Sequence, residues 1–536
     1  MSKWIQKKPQ LNYRKKDDLI TKIAKINGIE DINSFLNPTE KFLHKPKQLN
    51  NIDKATDRII KAIHNNELIS ISADIDADGL CGCVSLYRYL REFTNNLYYM
   101  YHQRDQGHGI ENQTKEIKPN TKLLIIVDSS TNSTKACREI TEEGIDIVIF
   151  DHHTFTAENE YATIVNPQLD NYPNKELSGA GVVWKSLKVL DEKLNSNLAN
   201  KFIDLTACGL FADIMSMKKM ENRYIISEGL KNIINPGLKA ILAIQETNLD
   251  KLSTKTIGFG IAPFINGVTR IGQIELALDL LLEDNFLKCN SIAYQIQEIN
   301  DKRRIVENKL VEQIKNQVNE DDKVIIAINE NKAQGKAFNG LIANKIANMY
   351  KRPCIIVNED GNQYKGSFRS LNIDFQKIIK ENIYMKFLGG HKNTGGVAFI
   401  KDDLEEIKEC LNEEFEDIDL EPTYYYDLEL TLDQIDKKLI GKIENFNKIT
   451  GKDFEPIKFV LKDIFINDRK VLGKNKNTIK FQTDEDLEII KFMTEPDWRR
   501  EVDALSTIDA IGELNLNQFR GKITPQLIVD DVKESS

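Results

Sequence analysis

Between about residues 50 and 165 the chain repeats one theme, a short apolar and β-branched run that stops at acidic or histidine residues and gives way to a helix-like segment. The runs lie at 68–73, 123–127 and 145–150, with a shorter fourth at 163–165. Continuous apolar strands alternating with helices are satisfied by a parallel sheet covered on both faces, because every strand must bury both sides and every crossover needs a helix. In open parallel sheets the ligand crevice lies beyond the carboxyl ends of the strands. Three of these ends are followed at once by polar chemistry: Asp74-Ile-Asp-Ala-Asp-Gly79, Asp128-Ser-Ser130 and Asp151-His-His153. Three separate segments are therefore expected to converge on one crevice.

Carboxylates at alternate positions, Asp74, Asp76 and Asp78, repel one another unless cations lie between them. In a turn ending at Gly79 they can face a common ion, and an oxygen-rich site suits manganese or magnesium. A solvated acidic turn capping the next helix accounts for that motif alone, and Asp128 fits a helix cap as well as a ligand. Asp151-His152-His153 changes the weighting, because it adds imidazole donors where the other two clusters should also point.

A length of 536 residues leaves room for three or four domains. From 180 to 315 the pattern is mostly helical, and the charged run at 300–307 reads as part of a long connecting helix. A second α/β unit runs from 323–328 through 353–357 to Gly389-Gly-His-Lys-Asn-Thr-Gly-Gly396 and an acidic helix at 402–415. Short strands with Asn, Asp, Gly and Lys turns then suggest a small β-barrel. The division expected is a lead-in (1–50), the motif-bearing α/β domain (51–235), a helical connector (236–318), a second α/β domain (319–418) and the barrel (419–536). The net charge of -9 excludes a globally basic nucleic-acid coat but not a locally positive face. No uncharged apolar stretch approaches the roughly 18 residues needed to span a bilayer, and the first residues lack a signal-peptide core, so no membrane association and a cytoplasmic location are expected. Seven scattered cysteines without a CxxC pair suggest neither a disulfide framework nor structural zinc. Cys81 and Cys83 read as helix packing.

The order Asp-x-Asp-x-Asp-Gly, strand-end Asp, Asp-His-His resembles the DHH phosphoesterase superfamily, and the longer context resembles the RecJ family of single-strand-specific 5'-3' exonucleases. Arg104, Gly107, Gly109 and Ile110 are similar to its Arg-x-x-x-Gly-Tyr-Gly-Leu loop, with His108 in the Tyr place. Asn166-Pro167, Leu177-Ser-Gly-Ala-Gly-Val182, the Asp213 segment and Glu221-Asn-Arg223 follow in family order, as do Pro263, Asn266 and Arg270. Lys365-Gly-Ser-Phe-Arg-Ser370 and Gly389-Gly-His391 mark a DHH-associated domain, and the stretch from Ile511 to Asp530 resembles an oligonucleotide-binding (OB) barrel. Ile75 stands where the family has Tyr or Phe and Thr394 where it has Ala, and neither change removes a ligand.

The resemblance implies an α/β protein: a DHH parallel-sheet domain, a DHH-associated α/β domain and a C-terminal OB-like barrel. It implies a catalytic centre of Asp76, Asp78, Asp128, Asp151, His152, His153 and Asp213. Asp76, Asp78, Asp128, His152 and Asp213 would hold two divalent cations, Mn2+ or Mg2+, with Asp74 a further ligand or a supporting carboxylate. Arg369, Ser370, Gly390 and His391 would contact phosphate, and Asn266 and Arg270 would grip the strand's backbone or its 5' end. Arg104 and Arg223 fit a structural ion pair as well as a DNA contact. Phe446, Phe454, Phe459, Trp498 and Phe519 are candidates for base stacking, with buried core the better account of most. The implied activity is release of 5'-mononucleotides from single-stranded DNA in repair and recombination, by a monomer helped by a single-strand-binding protein and a helicase. Hydrolysis of short or cyclic oligonucleotides, and a replication scaffold without catalysis, are the alternatives.

Overall fold

The computed structural model describes residues 2–11, 18–102, 109–331, 335–371, 373–473, 476–483, 487–494, 507–519 and 521–535. Two compact units emerge, one of Gln297–Thr423 with the first three residues, the other of Trp4–Ile296 with Tyr424–Ser536.

The larger unit is built on five parallel strands, β1 (Leu68–Ala73), β2 (Leu97–Tyr101), β3 (Thr121–Val127), β4 (Asp146–Phe150) and β5 (Thr163–Val165). Their order is β2-β1-β3-β4-β5. The four runs expected from hydrophobicity are strands, and Ile69, Ile71, Ile125, Val127, Val148 and Phe150 are all buried. β2 is not among those runs. At one edge of this sheet its Leu-Tyr-Tyr-Met-Tyr alternates between buried and half-buried, so it never reads as a continuous apolar run. The chain moves outward from β1 to β2 and then returns past β1 to β3, so the sheet's switch point lies between β1 and β3. Asp74 and Asp128 are the first residues after those two strands.

Helices α1 (Ala77–Leu90), α2 (Gly179–Leu194), α3 (Ile203–Ala212) and α4 (Met220–Lys231) pack on this framework. α1 lies close against the sheet at Gly82, where a Cβ would come within 2.7 Å of Val127 Cγ1. Cys81 and Cys83 are buried within α1, as packing residues should be. The 300–307 run belongs to α5 (Phe286–Lys315), a helix of 30 residues.

In the smaller unit β6 (Ile325–Ile328) pairs in parallel with β7 (Cys354–Asp360), and antiparallel partners β8 (Gln363–Arg369), β9 (Phe387–His391) and β10 (Thr394–Ile400) complete a sheet of order β9-β10-β8-β7-β6. Between β6 and β7 runs α6 (Gly335–Tyr350). Buried Phe368, Phe375, Phe399 and Phe415 fill its core. The 389–396 glycine run forms the β9–β10 hairpin, with His391 opposite Thr394.

The C-terminal part of the larger unit is a seven-stranded sheet of β11 (Leu428–Leu430), β12 (Phe459–Phe465), β13 (Asp468–Leu472), β14 (Thr478–Gln482), β15 (Glu488–Lys491), β16 (Thr507–Phe519) and β17 (Lys522–Glu534), in the order β11-β12-β16-β17-β15-β14-β13. Phe446, Phe454 and Phe459 are buried here and serve as core. Trp498 and the Phe519 side chain lie outside the described residues.

Candidate metal centre

Each of the three strand-end motifs is held by its own local chemistry. Asp74, buried beyond β1, accepts from the Ile75 amide at 2.6 Å and faces His102 Nε2 at 3.1 Å. Asp76 caps α1, accepting from the Asp78 and Gly79 amides at 2.9 and 3.1 Å. Asp78, only 1% exposed, lies in the first turn of α1 and points at the start of α2. There it accepts from Ser178 Oγ (2.8 Å) and from the amides of Gly179 (2.7 Å) and Ala180 (3.2 Å), so a helix N-terminus holds a carboxylate.

Asp128 leaves β3 in the left-handed region, φ +66, while its amide donates to Phe150 O at 2.8 Å. A non-glycine residue there carries strain of order 1–3 kcal/mol, of the kind that clusters at functional sites. Asp151 anchors the third motif. Its Oδ1 accepts from the His152 amide (2.7 Å), the His153 amide (3.2 Å) and His153 Nδ1 (2.7 Å), and its Oδ2 from the Thr131 amide (3.0 Å).

His152 Nε2 lies 3.2 Å from Asp128 Oδ1 and 3.1 Å from Asp213 Oδ2, Asp213 being the C-cap of α3. Yet Asp128 Oδ1 and His152 Nε2, both buried, have no hydrogen-bond partner among the described residues. Atoms that approach this closely without hydrogen-bond direction are arranged as ligands of a shared ion are. Two groups of ligand atoms, each within 4.8 Å of one another, meet at His152: Asp128, His152 and His153, and Asp78, His152 and Asp213. Carboxylate with imidazole suits a divalent first-row cation or magnesium, and the residues fit such ions.

The electrostatics agree. Burial and the neighbouring Asp213 charge push the Asp78 carboxyl up to about 7. Burial and the Asp74 charge raise Asp76, and burial with the Asp78 charge raises Asp128 well above the carboxylate range. Burial opposes charge on His152, but Asp128 and Asp213 carry it well above its ordinary value. Burial likewise disfavours the Asp151 anion, yet His153 holds that carboxyl well below the usual range. Crowded buried anions raise one another's pKa until a cation compensates them.

The other expected contacts are less concentrated. On the helix Ala262–Thr269, Asn266 has a buried Oδ1 without a partner among the described residues, and Arg270 caps that helix. In the smaller unit Arg369 ends β8 half-buried, with Nη1 donating to Phe368 O at 2.6 Å and burial lowering its pKa. It has no carboxylate partner among the described residues. Ser370 commits its hydroxyl to Ile373 O at 2.8 Å and its amide to Asn393 O at 2.9 Å. Gly390 has φ +122, and His391 is exposed at the end of β9. Arg104 lies outside the described residues. Arg223 is 1% exposed, has no carboxylate partner among the described residues and donates to the carbonyls of Phe35, Met217 and Ile449.

Three supporting residues carried no role in the sequence reading. His102 stands behind Asp74, Ser178 clamps Asp78, and Asn166 Nδ2 ties the Asp-His-His loop through His153 O (3.0 Å) and Thr131 Oγ1 (3.1 Å). Ser-Gly-Ala-Gly at 178–181 does carry a helix-start signal, but which side chain that helix would receive is a long-range fact.

Residues 68–210 match the DHH family, N-terminal domain; residues 321–417 match the DHHA1 domain and 426–531 the RecJ OB domain. The chain is 31% identical over 559 residues to the SPbeta prophage-derived YorK of Bacillus subtilis (strain 168), which is named by inference as a single-strand DNA-specific exonuclease, with 96% of each covered. It is 26% identical over 531 residues to the single-stranded-DNA-specific exonuclease RecJ of the same strain, covering 94% of this chain and 66% of that one. The crystal structure of RecJ from Thermus thermophilus in complex with Mn2+ superposes with a TM-score of 0.80 at 21% identity, over 96% of this chain and 76% of that one.

Proposed function

As this chain belongs to the RecJ family of single-strand DNA-specific exonucleases, within the DHH proteins, we propose that it is a metal-dependent exodeoxyribonuclease that degrades single-stranded DNA from the 5' end and releases 5'-mononucleotides. The observation that carries the reading is the pair of ligand groups meeting at His152, with Asp128 Oδ1 and His152 Nε2 buried and unpartnered among the described residues. Asp76, Asp78, Asp128, His152 and Asp213 would hold two divalent cations, Mn2+ or Mg2+, with Asp74 beside them. When bound, such ions lower the pKa of a coordinated water and neutralise charge on the phosphate oxygens.

The chain's own residues do the rest. Ser178 and the first amides of α2 fix the Asp78 carboxylate, so one ligand is set before any ion arrives. Asp151 orients His153, whose ring is the more exposed of the pair and is free to meet a phosphate. Arg369, Ser370, Gly390 and His391 are the phosphate contacts of this reading. A half-buried guanidinium with no carboxylate partner among the described residues supports that role for Arg369. Asn266, Arg270 and Arg104 hold the strand, and the OB domain guides it. The five-part domain division goes with the same reading. The setting is DNA repair and recombination in the cytoplasm, as a monomer, with a helicase and a single-strand-binding protein supplying substrate. No described helix is long and apolar enough to cross a membrane.

The test is a substrate panel: single-stranded DNA, blunt duplex and dinucleotides, each with Mn2+, with Mg2+ and with chelator. Cleavage of single strands only, lost with chelator, is expected. Activity confined to dinucleotides would move the protein to the short-oligonucleotide phosphodiesterases.

A further inference from the structure

One aromatic side chain is pushed out of the fold on a turn that packs against α3, the helix that Asp213 caps. Residues Thr256–Ile261 form a π-helical turn that runs directly into the helix Ala262–Thr269, and such turns are rare and concentrate at functional sites. Phe259 sits in that turn with 81% of its surface exposed. The glycines on either side explain why. A Cβ on Gly258 would lie 2.8 Å from Phe211 Cε1, and one on Gly260 would lie 2.6 Å from Gln245 Oε1. The backbone is thus pressed against the molecule on both sides of residue 259, and its ring points to solvent. Phe211, the surface that Gly258 meets, is two residues before Asp213.

Single exposed apolar residues are ordinary, but Phe259 belongs to a row. Lys255 and Phe259 are exposed, Pro263, Asn266 and Arg270 are half-buried, and every intervening position from Ile261 onward is buried. These spacings follow one face of the helical segment. Lys255 pairs with Glu513 of β16 at 2.6 Å, so the row starts against the OB sheet. It continues past the aromatic ring to Asn266, whose buried Oδ1 has no partner among the described residues, and ends at Arg270.

We propose that Phe259 is a nucleobase-stacking platform, the aromatic member of a substrate track formed by Phe259, Asn266 and Arg270, which positions the strand next to the metal centre. This deepens the single-strand reading and rests on it. An aromatic face accepts any base, and a guanidinium suits phosphate. A duplex keeps its bases stacked on one another, so a platform of this kind favours single strands.

The test compares wild type with Phe259→Ala, Phe259→Leu and Phe259→Trp, on an oligothymidylate and on an abasic strand of the same length. Exposure of residue 259 keeps all variants folded, which thermal unfolding verifies. The expected result is a KM on oligothymidylate about 5- to 100-fold higher for Phe259→Ala and Phe259→Leu, unchanged kcat, recovery in Phe259→Trp, and no difference between wild type and Phe259→Ala on the abasic strand. If wild type cleaves oligothymidylate and Phe259→Ala matches it, or if the loss is equal on the abasic strand, the stacking role is overturned and the exonuclease reading stands. If wild type neither binds nor cleaves single strands, both fall.

Discussion

Asp78 illustrates how much of this site is decided by single side chains. Its carboxyl is raised from the ordinary 3.8 to about 7 by burial and by Asp213, so the cation-free centre retains protons that a metal must expel. The sign follows. A carboxyl raised in the folded state contributes stability below its ordinary pKa, and that contribution is lost as pH rises through about 7. The metal-free protein is therefore expected to lose thermal stability as pH rises from about 4 to about 7, with saturating Mn2+ removing the loss, and Mn2+ affinity should rise by up to about tenfold per pH unit for each proton released. Calorimetry across that range checks both, and a flat affinity profile would contradict the protonated centre. A second expectation concerns Gly179, where a Cβ would lie 2.5 Å from Asp128 Oδ1. Gly179→Ala should lower kcat by about 100-fold, since a displacement of about 1 Å in a reacting group costs that much, and should cost about 1–3 kcal/mol of stability through overpacking; an unchanged kcat in steady-state assays would show that Asp128 does not need its present position. The candidate ligands on the three motifs were legible in the sequence because carboxylate and imidazole stood at strand ends, where a parallel sheet must put its crevice, whereas Asp213, at the end of α3, came only from the family resemblance. Gly179, Ser178, His102 and Asn166 were not, because each acts on a side chain that only the folded chain brings to it.

Among the elements, legibility tracked burial. Strands with both faces covered, β1, β3 and β4, read as apolar runs, whereas the edge strand β2 and the hairpin β9–β10 did not. The hairpin is glycine-rich for a geometric reason. Gly390 has φ +122, and a Cβ there would lie 2.5 Å from both Gly395 Cα and Thr394 O. A sequence reader sees a loop where close-packed backbones need glycine in a strand. Gly390→Ala is expected to cost about 1–3 kcal/mol in the smaller unit and to raise KM for single strands, because His391 adjoins it. Urea unfolding and steady-state kinetics measure the two effects, and a variant with wild-type stability would contradict the steric argument.

At the scale of the molecule, the larger unit is joined by a buried cation. Arg223 donates from Nε to Phe35 O (3.0 Å) and from Nη1 to Met217 O (3.1 Å) and Ile449 O (2.9 Å), with its guanidinium 3.5 Å from the Phe35 ring centroid. One side chain thus ties the lead-in, the segment after Asp213 and the approach to the OB sheet. Burial lowers its pKa to about 9, a sign of how dry the site is. Arg223→Met keeps the bulk and removes the donors, leaving three carbonyls without this partner, and should destabilise the unit by about 2–5 kcal/mol. Denaturant unfolding checks the size, while a variant that unfolds like wild type but loses DNA affinity would return Arg223 to the DNA-contact role. The measurement that bears most directly on the whole account is a time course on single-stranded DNA labelled at its 5' end, with Mn2+, for wild type and Asp128→Ala. Wild type is expected to release the label at once as a mononucleotide and Asp128→Ala to release none; a label that stays on a shortening ladder, or equal release by the variant, would contradict 5'-3' cleavage at this centre.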